Sequence, residues 1–306
     1  MTSFLPEGKR IHNAANISFV SSCEGLRTAM EREEILEAKA ISCDNEHNLR
    51  VDLPGIRGVI PREEGALGIR DGSVRDIALL SRVGRAVCFT VKDLISDDNR
   101  VTAILSRADA QQRCAERYLG TLRPGDVIPA RVTHLEPFGA FCDIGCGLIA
   151  LMPIDAISVS RIEHPDERFT VGMDIFAVVK SIVGNRVTLS HKELLGTWEE
   201  NIARFAVGDT VTGVIRSIEN YGAFVELAPN LAGLAELRDN IHVGNIAAVY
   251  IKSILPQKMK VKLIIIDHFY EPRLPSAPAY FITGGHIDKF IYSPSDCDRM
   301  IMTEFD

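Results

Sequence analysis

The sequence lacks any apolar run of about 20 residues, the length that a membrane-spanning helix needs. Its N-terminus also lacks the basic and apolar regions of a signal peptide. The 7 cysteines are scattered and odd in number, which argues against a disulfide framework and favours a reducing compartment. These absences predict a cytoplasmic protein without a membrane segment.

Catalytic motifs are missing as well. The chain contains no Walker loop, no dinucleotide-binding fingerprint and no nucleophile elbow. Cys142 and Cys146 have no second ligand pair at the spacing of a zinc site, so we interpret them as small buried residues. His286 and Asp288 follow two glycines with no nucleophile nearby, which is typical of a turn. We therefore expect a protein that is not an enzyme and that has no catalytic residues, no metal and no cofactor.

The chain also has no excess of positive charge. The chain has 34 Lys and Arg residues against 41 Asp and Glu residues, a formal net charge of −7. Nucleic-acid-binding proteins are usually basic, so a nucleic acid could be bound only through a local basic groove and with few phosphate contacts. The length of 306 residues, with 46% hydrophobic and 25% charged residues, fits two or three ordinary globular domains.

The sequence does contain one stretch that occurs twice. A Gly-Asp pair, a β-rich run and an aromatic-Gly-Ala-Phe segment span 125–144 and return 83 residues later, at 208–227. Each copy predicts two strands joined by a short turn. Gly139 and Gly222 lie in the second strand of each copy, where glycine usually marks a bulge or bend. Such a bend would bring both aromatic side chains of a copy to one exposed surface, which is the geometry that base stacking needs.

This pattern resembles the S1 RNA-binding domain, an OB-fold module, and the flanking segments agree with the resemblance. In that family a Gly-Leu segment, a Val-Gly pair that opens the fourth strand and a final strand follow. The corresponding segments are 147–151, 171–172 and 186–190 in the first copy, and 231–234, 243–244 and 260–263 in the second. The resemblance implies OB barrels that bind single-stranded RNA.

A third, degenerate copy precedes these two. Its five predicted strands are 36–41, 49–53, 54–61, 87–91 and 101–106. The aromatic-Gly-Ala-Phe strand is missing, and His47 and Arg50 fall where the aromatic residues should be. We therefore predict that this copy is a docking or spacer domain without a stacking surface.

The fold class that follows is mostly β, with three tandem five-stranded OB-fold barrels of the S1 type, helical linkers and a C-terminal hairpin tail. The expected parts are an N-terminal arm and helix at 1–33, a degenerate S1-like domain at 34–106, a linker helix at 107–122, an S1 domain at 123–193, a linker helix at 194–207, an S1 domain with a shortened helical insert at 208–267, and the tail at 268–306.

Three local expectations add detail to this scheme. Residues 1–21 should be an irregular arm, followed by a helix at 24–37 that Ser22 caps. Trp198, the only tryptophan, should pack at a domain junction. In the tail, 280–283 should pair with 289–292 as a hairpin across two glycines.

The predicted RNA-binding residues are two aromatic pairs and the basic residues on the strands beside them. An exposed aromatic ring can stack on any base, at roughly 1–3 kcal/mol per base. The predicted residues are Phe138, Phe141, Arg131, His134, Lys180 and Arg186 in the second barrel, and Tyr221, Phe224, Arg216, Lys252, Lys258 and Lys260 in the third.

The resemblance implies a binding protein whose partners are messenger RNA and the small ribosomal subunit, as in ribosomal protein S1. Two alternatives stay open. The chain could be an RNA-binding factor in RNA decay or stress response that never joins the ribosome. It could also be a scaffold in which OB barrels bind polypeptide, which the net acidity favours and the paired aromatic residues oppose.

Overall fold

The computed structural model describes residues 4–97, 100–271 and 275–305. The chain divides into two compact units, of which the first contains residues up to 122 together with 143–149, and the second contains 123–142 and the chain from 150 onward. The described strands form three closed five-stranded barrels and one two-stranded sheet. The predicted fold class, mostly β with three OB-like barrels, is confirmed.

The first barrel follows two helices, and its strands are hydrogen-bonded in the order β1-β2-β3-β5-β4. Apolar side chains on alternate positions of these strands fill its core, as period-two patterning predicts. The elements are α1 (Ala14–Val20), α2 (Cys23–Glu31), β1 (Leu36–Cys43), β2 (Leu49–Leu53), β3 (Ile56–Ile60), α3 (Ile77–Leu80), β4 (Ala86–Asp97) and β5 (Arg100–Ser106).

The N-terminal arm differs from the prediction of an irregular segment, because it contains α1. Asn13 caps this helix by accepting a hydrogen bond from the backbone N–H of Ala15 at 2.9 Å. Ser22 caps α2 as predicted, accepting from the N–H of Gly25. The predicted extension of α2 to Glu37 is wrong, since Glu33 has a left-handed backbone with φ of 55°, which ends a helix.

The arm is fixed within the first unit by a buried ion pair. Arg107 donates to both carboxylate oxygens of Glu7, at 2.7 and 3.1 Å. The Glu7 N–H donates to the carboxylate of Asp143 at 2.7 Å. Burial opposes ionisation of Glu7, but the Arg107 guanidinium outweighs it and holds the pKa of that carboxyl below its usual value. The arm is therefore an integral part of the first unit.

The second barrel follows α4 (Arg107–Arg117) and has the strand order β10-β8-β7-β6-β9. Short 3₁₀ turns at Ile154–Ala156 and Pro165–Glu167 occupy the insert between its third and fourth strands. The strands are β6 (Val127–Glu136), β7 (Gly139–Gly145), β8 (Leu148–Pro153), β9 (Asp174–Val183) and β10 (Arg186–Ser190).

The third barrel follows α5 (Trp198–Ile202) and has the order β11-β12-β13-β15-β14. Its insert between the third and fourth strands contains no regular element among the described residues. The strands are β11 (Thr210–Glu219), β12 (Gly222–Ala228), β13 (Leu231–Ala235), β14 (Ile246–Leu255) and β15 (Lys260–Phe269).

Trp198 lies where the second and third barrels meet, as the sequence predicts. It begins α5, its side chain is 2% exposed, and it belongs to a core that includes Val178 of β9 and Ile215 of β11. Thr197 caps the helix in a capping box with Glu200. Apolar side chains of both barrels of the second unit therefore pack in one cluster around this tryptophan.

The tail contains a hairpin, but its strands are not the predicted pair. Strand β16 (Lys289–Ile291) pairs with β17 (Met302–Glu304), and 280–283 forms no strand. The glycine segment instead bonds to the second barrel, where Val127 donates to the Gly285 carbonyl at 3.0 Å and Ile287 donates to the Gly125 carbonyl at 2.9 Å. These tertiary hydrogen bonds replace the local turn that the two glycines suggested. Residues 272–274 of the Pro-rich linker lie outside the described residues.

Candidate nucleic-acid interface

The second barrel presents two aromatic rings side by side at the turn between β6 and β7. The ring centroids of Phe138 and Phe141 are 6.0 Å apart and the ring planes meet at 89°. Phe138 is 56% exposed and Phe141 is half-buried. Edge-to-face packing holds the two rings together and leaves the face of Phe138 open to solvent.

A close backbone approach explains why glycine stands between the rings. A Cβ at Gly139 would lie 2.4 Å from the carbonyl oxygen of Met152, at the end of β8. Any other residue would push the strands apart at the point where Phe138 is displayed. Gly139, the first residue of β7, thus marks a close contact between strands at the base of the aromatic pair.

The third barrel repeats this geometry at the turn between β11 and β12. The ring centroids of Tyr221 and Phe224 are 6.3 Å apart, again at 89°. Tyr221 is 65% exposed, and a Cβ at Gly222 would lie 2.6 Å from the carbonyl oxygen of Ala235. The two barrels therefore hold equivalent aromatic pairs by equivalent backbone contacts.

His134 adds a third ring to the second barrel. Its imidazole lies 6.2 Å from the Phe141 ring at an interplanar angle of 30°. Its Nε2 lies 2.7 Å from the carboxylate of Glu136, which orients the ring. The equivalent position in the third barrel is Ser217, so the third ring exists only in the second barrel.

Two predicted basic residues are held in ion pairs. Arg131 donates to both carboxylate oxygens of Asp174, at 2.8 and 3.0 Å. Arg216 sits at an irregularity in the pairing of β11 with β12, between Ile215 and Ser217. Its guanidinium binds both oxygens of Glu226, at 3.0 and 3.1 Å.

Arg216 takes part in a network that joins the two barrels of the second unit. Besides Glu226 on β12, it contacts the carboxylate of Glu167, which belongs to the insert of the second barrel. Arg168, the next residue of that insert, also pairs with Glu226. We name these four residues the interbarrel ion network. Its members are largely buried, so Arg216 has a structural partner set where the sequence suggested an RNA contact.

The other predicted basic residues are exposed on the barrel surfaces. Among the residues that the structure describes, Lys252 is paired only loosely, with its Nζ 3.9 Å from Glu236. The remaining ones show no ion pair within the described chain: Lys180, Arg186, Lys258 and Lys260.

Lys262 is an exposed basic residue that the sequence reasoning missed. In the barrel it lies in the same cross-strand row as Phe224, because Phe224 pairs with Leu234 on β13 and Leu234 pairs with Lys262 on β15. Strand periodicity could have found it, since Lys260 and Lys262 are two positions apart and point to the same face. Periodicity alone does not give the register between β13 and β15, which places Lys262 in the row of Phe224.

His191 is a buried residue that no sequence pattern indicated. It follows β10, and its two ring nitrogens lie 3.0 Å from the carbonyl oxygen of Ile157 and 3.0 Å from the hydroxyl of Tyr280 in the tail. Burial lowers the pKa of His191 to about 4, so the imidazole is neutral near pH 7. It therefore contributes to the packing of the tail on the second barrel.

The first barrel shows no aromatic surface of this kind in the part that the structure describes. Arg50 is exposed on β2, and His47 occupies a left-handed turn position with φ of 64°. Phe89, on β4, is fully buried in the barrel core. That this barrel is a docking or spacer domain stays a prediction.

Two further features bear on function, clusters of metal-binding side chains and helices that could cross a membrane. No group of three or more His, Cys, Asp or Glu side chains within 4–97, 100–271 and 275–305 could hold a metal ion. Cys142 and Cys146 are buried and form no disulfide in the described chain. None of the helices in the described chain is both long and apolar enough to cross a membrane.

Comparison with known proteins agrees with this geometry. Residues 121–192 match the S1 RNA binding domain family. The small ribosomal subunit protein bS1 of Staphylococcus aureus is 33% identical over 251 residues, covering 79% of this chain and 61% of the relative. The bS1 protein of Staphylococcus epidermidis is 32% identical, covering 85% of this chain and 65% of the relative.

The chain spans less than two thirds of the length of these curated relatives. Among solved structures, a multidomain protein with nucleic acid binding domains from Streptococcus pneumoniae matches 78% of this chain and 75% of its own, at 13% identity and a TM-score of 0.25. The repeated aromatic strands, the three barrels, the matched domain and the bS1 relatives agree. The second barrel therefore matches the S1 RNA binding domain, and most of the chain is similar in sequence to the bS1 proteins.

Proposed function

We propose that this chain binds single-stranded RNA through the second and third barrels. The observation that carries the proposal is the pair of rings, one exposed and one half-buried, that recurs at the same position in both barrels. OB folds bind oligonucleotides on this face and on the loops at its edge. Unpaired bases can stack on such rings regardless of sequence, whereas bases inside a duplex cannot reach them.

The proposed contact residues share exposure and position beside the rings. Arg131 and Arg216 are left out because their charges are already paired. The contacts proposed are Phe138, Phe141, His134, Lys180 and Arg186 in the second barrel, and Tyr221, Phe224, Lys252, Lys258 and Lys260 in the third.

The role proposed for RNA binding is in translation at the small ribosomal subunit, in the cytoplasm. The support is the identity to bS1 proteins, which are named as components of that subunit. The binding is proposed to occur without catalysis, since the relatives are named for ribosomal and RNA-binding roles. Co-sedimentation of the purified chain with small subunits tests the first point, and incubation of RNA with the highly purified chain tests the second.

Fluorescence anisotropy with a labelled 12-nucleotide RNA tests the central proposal. The single strand should bind, and the same sequence annealed to its complement should bind much more weakly. Residues 123–305 should bind nearly as well as the full chain, and residues 1–122 should not. A folded Phe138→Ala, Phe141→Ala, Tyr221→Ala, Phe224→Ala variant with unchanged affinity would overturn the proposal.

The scaffold alternative, in which the barrels bind polypeptide, has one observation in its favour, the net charge of −7. It predicts weak RNA binding that does not depend on the aromatic rings. The same anisotropy series separates the two functions, because only RNA stacking requires both a single strand and an intact aromatic pair.

A further inference from the structure

Asn230 joins the second and third barrels through its side chain. It lies in the turn between β12 and β13, and its side chain is fully buried. Its Oδ1 accepts a hydrogen bond from the N–H of Val159, in the insert of the second barrel, at 3.0 Å. Its Nδ2 donates to the carbonyl oxygens of Lys192 and Gly196, between β10 and α5, at 2.8 and 2.9 Å. One amide thus satisfies three backbone groups that lie outside its own barrel.

The tail adds a contact to the same residue. The hydroxyl of Tyr292, which follows β16, donates to the backbone carbonyl of Asn230. The Tyr292 carbonyl accepts from the N–H of Trp198 at 3.0 Å, and its ring packs in the apolar cluster around that tryptophan. Burial raises the pKa of Tyr292 above its ordinary value, so the hydroxyl keeps the proton that it donates.

The same tail is bonded to the second barrel. Besides the backbone bonds of the Gly285 segment, the Tyr280 hydroxyl accepts from the N–H of Phe176, on β9, at 3.1 Å. His286 lies with its Nδ1 2.7 Å from the carboxylate of Asp126, just before β6. Residues 280–292 therefore reach from the second barrel to Asn230 in the third, and they connect the two by bonds that do not pass through α5.

This connection is not part of the repeated module. With the 83-residue offset of the repeat, Asn230 corresponds to Gly147 in the second barrel, which has no side chain to form such bonds. The tail also occurs only once, after the third barrel. Because the aromatic pair recurs in both barrels and the connection does not, its role concerns the relation between the barrels and not the surface of either one.

We infer that Asn230 and the tail residues 280–292, together named the clamp, hold the second barrel in place against the third so that one RNA strand binds both aromatic pairs. The inference rests on the proposed function and adds to it a dependence on RNA length. One OB fold covers roughly 4–16 nucleotides, so a short strand contacts one barrel and a longer strand reaches both. When the barrels are already held in place, the second contact is intramolecular and no domain has to be ordered on binding. Asn230 and Tyr292 are buried, and they act as positioning residues.

Fluorescence anisotropy of the full chain with labelled oligo(U) of 6 and of 24 nucleotides tests the clamp. The parent should bind the longer strand at least about tenfold more tightly. Asn230→Ala should weaken binding of the longer strand about tenfold and leave the Kd of the shorter strand within about twofold. Tyr292→Phe removes a single oxygen and should weaken binding of the longer strand about 2- to 10-fold, the size of one lost hydrogen bond.

The matched controls are Asn45→Ala in the first barrel and Tyr250→Phe on β14, both at exposed side chains, and neither should change either Kd. The longer strand offers the same number of binding registers to every variant, so a change in the ratio of the two Kd values reports the clamp. A variant that only lowers the folded fraction weakens binding of both strands alike and lowers the Tm. If Asn230→Ala does not fold, Tyr292→Phe decides the question.

Three results would overturn the inference. The first is a parent that binds both strands with equal affinity. The second is an unchanged ratio in folded Asn230→Ala and Tyr292→Phe, and the third is an equal loss for both strands in Tyr292→Phe. In each of these cases binding of the shorter strand keeps the proposed function intact. If the parent binds neither strand, the proposed function fails and the inference fails with it.

Discussion

The second and third barrels display the same aromatic pair, but they surround it with different chemistry. The second barrel adds the His134 ring, whereas the third has Ser217 there and adds Lys262 where the second has Thr188. Both keep the glycine whose replacement would bring a Cβ within 2.6 Å of a backbone carbonyl on the neighbouring strand. The repeat therefore preserves the positions that the barrel backbone dictates, while the outward positions are free to diverge.

This difference suggests a division of labour between the barrels. The second offers three rings and therefore more stacking area, and the third offers more unpaired charge and therefore more attraction for phosphate. The two belong to one compact unit, in which Trp198 and the interbarrel ion network connect them. A single RNA strand bound to both would gain from the shared attachment, since the second contact is then intramolecular.

The largest expected effect is a loss of stability when the interbarrel ion network is broken, with RNA binding retained. Arg216→Ala leaves Glu167 without its arginine and removes one of the two arginines that face Glu226. The free energy of unfolding should therefore fall by about 3–5 kcal/mol, toward the lower end because Arg168 remains. Urea denaturation followed by the fluorescence of Trp198, which lies in this unit, measures the loss. The folded variant should bind RNA within about twofold of the parent.

Arg186→Ala is the control for that experiment, because Arg186 is exposed and without a partner in the described chain. Its stability should stay within about 0.5 kcal/mol of the parent. If Arg216→Ala instead keeps its stability and loses RNA affinity, Arg216 is an RNA contact.

The second prediction concerns a titratable group that only the second barrel buries. His191 occupies the place that Ile265 fills in the third barrel, and its folded pKa is about 4 against an ordinary 6.5. The unfolded chain therefore takes up a proton between pH 6.5 and 4 that the folded chain does not. Stability should be highest above pH 6.5 and should decline by about 3 kcal/mol as the pH falls to 4, through this group alone.

Arg168 and Tyr280 face the His191 ring, and of these only the arginine carries a charge near neutrality. His191→Gln keeps an amide that can bond to the Tyr280 hydroxyl but does not titrate. Urea midpoints of the parent and the variant between pH 4 and pH 7.5 should therefore converge at the acidic end. Parallel curves would show that His191 does not contribute this dependence.

The third prediction compares single rings. Phe138→Ala and Tyr221→Ala should each weaken binding by roughly 1–3 kcal/mol, about 5- to 150-fold in Kd. Tyr221→Ala should cost more, because one ring remains in the third barrel whereas Phe141 and His134 remain in the second. Both rings are exposed, so neither change should lower the Tm appreciably. Equal losses of affinity would show that His134 does not stack on RNA.

The barrels and the aromatic pairs could be predicted because local pattern determines them. Alternating apolar residues specify strands, and the 83-residue repeat places Gly139 and Gly222 at equivalent turns. Partners distant in sequence could not be predicted in the same way. The pairing of Arg216 with Glu167 depends on the packing of two barrels, and the binding of Gly285 to Val127 depends on where the tail crosses the second barrel.

The missed features have the same origin. Lys262 lies on a strand that was correctly predicted, but its position beside Phe224 depends on the parallel pairing of β13 with β15. The helix α1 is short, and it is stabilised by the contact of Asn16 with the backbone of Glu37, which the arm reaches only in the folded unit. Sequence periodicity predicts elements, and register and packing then decide which side chains meet.

The smallest expected effect tests the division of labour directly. Arg186 in the second barrel and Lys260 in the third each follow the loop between the last two strands, and both are exposed. Each contact with one phosphate should contribute about 0.7 to the log–log salt slope and less than about 1 kcal/mol to affinity. Arg186→Gln should therefore flatten the slope by one such step and leave the third barrel's contribution intact. Lys260→Gln should flatten the slope by the same step, and the double variant Lys260→Gln, Lys262→Gln should flatten it by two steps.

The affinity at high salt gives a second measure. Since the second barrel depends more on stacking, Arg186→Gln should retain most of its affinity at 0.3 M salt, where charge contacts are weakest. A slope that responds to Arg186 but to neither lysine would reverse the assignment and place the phosphate contacts on the second barrel.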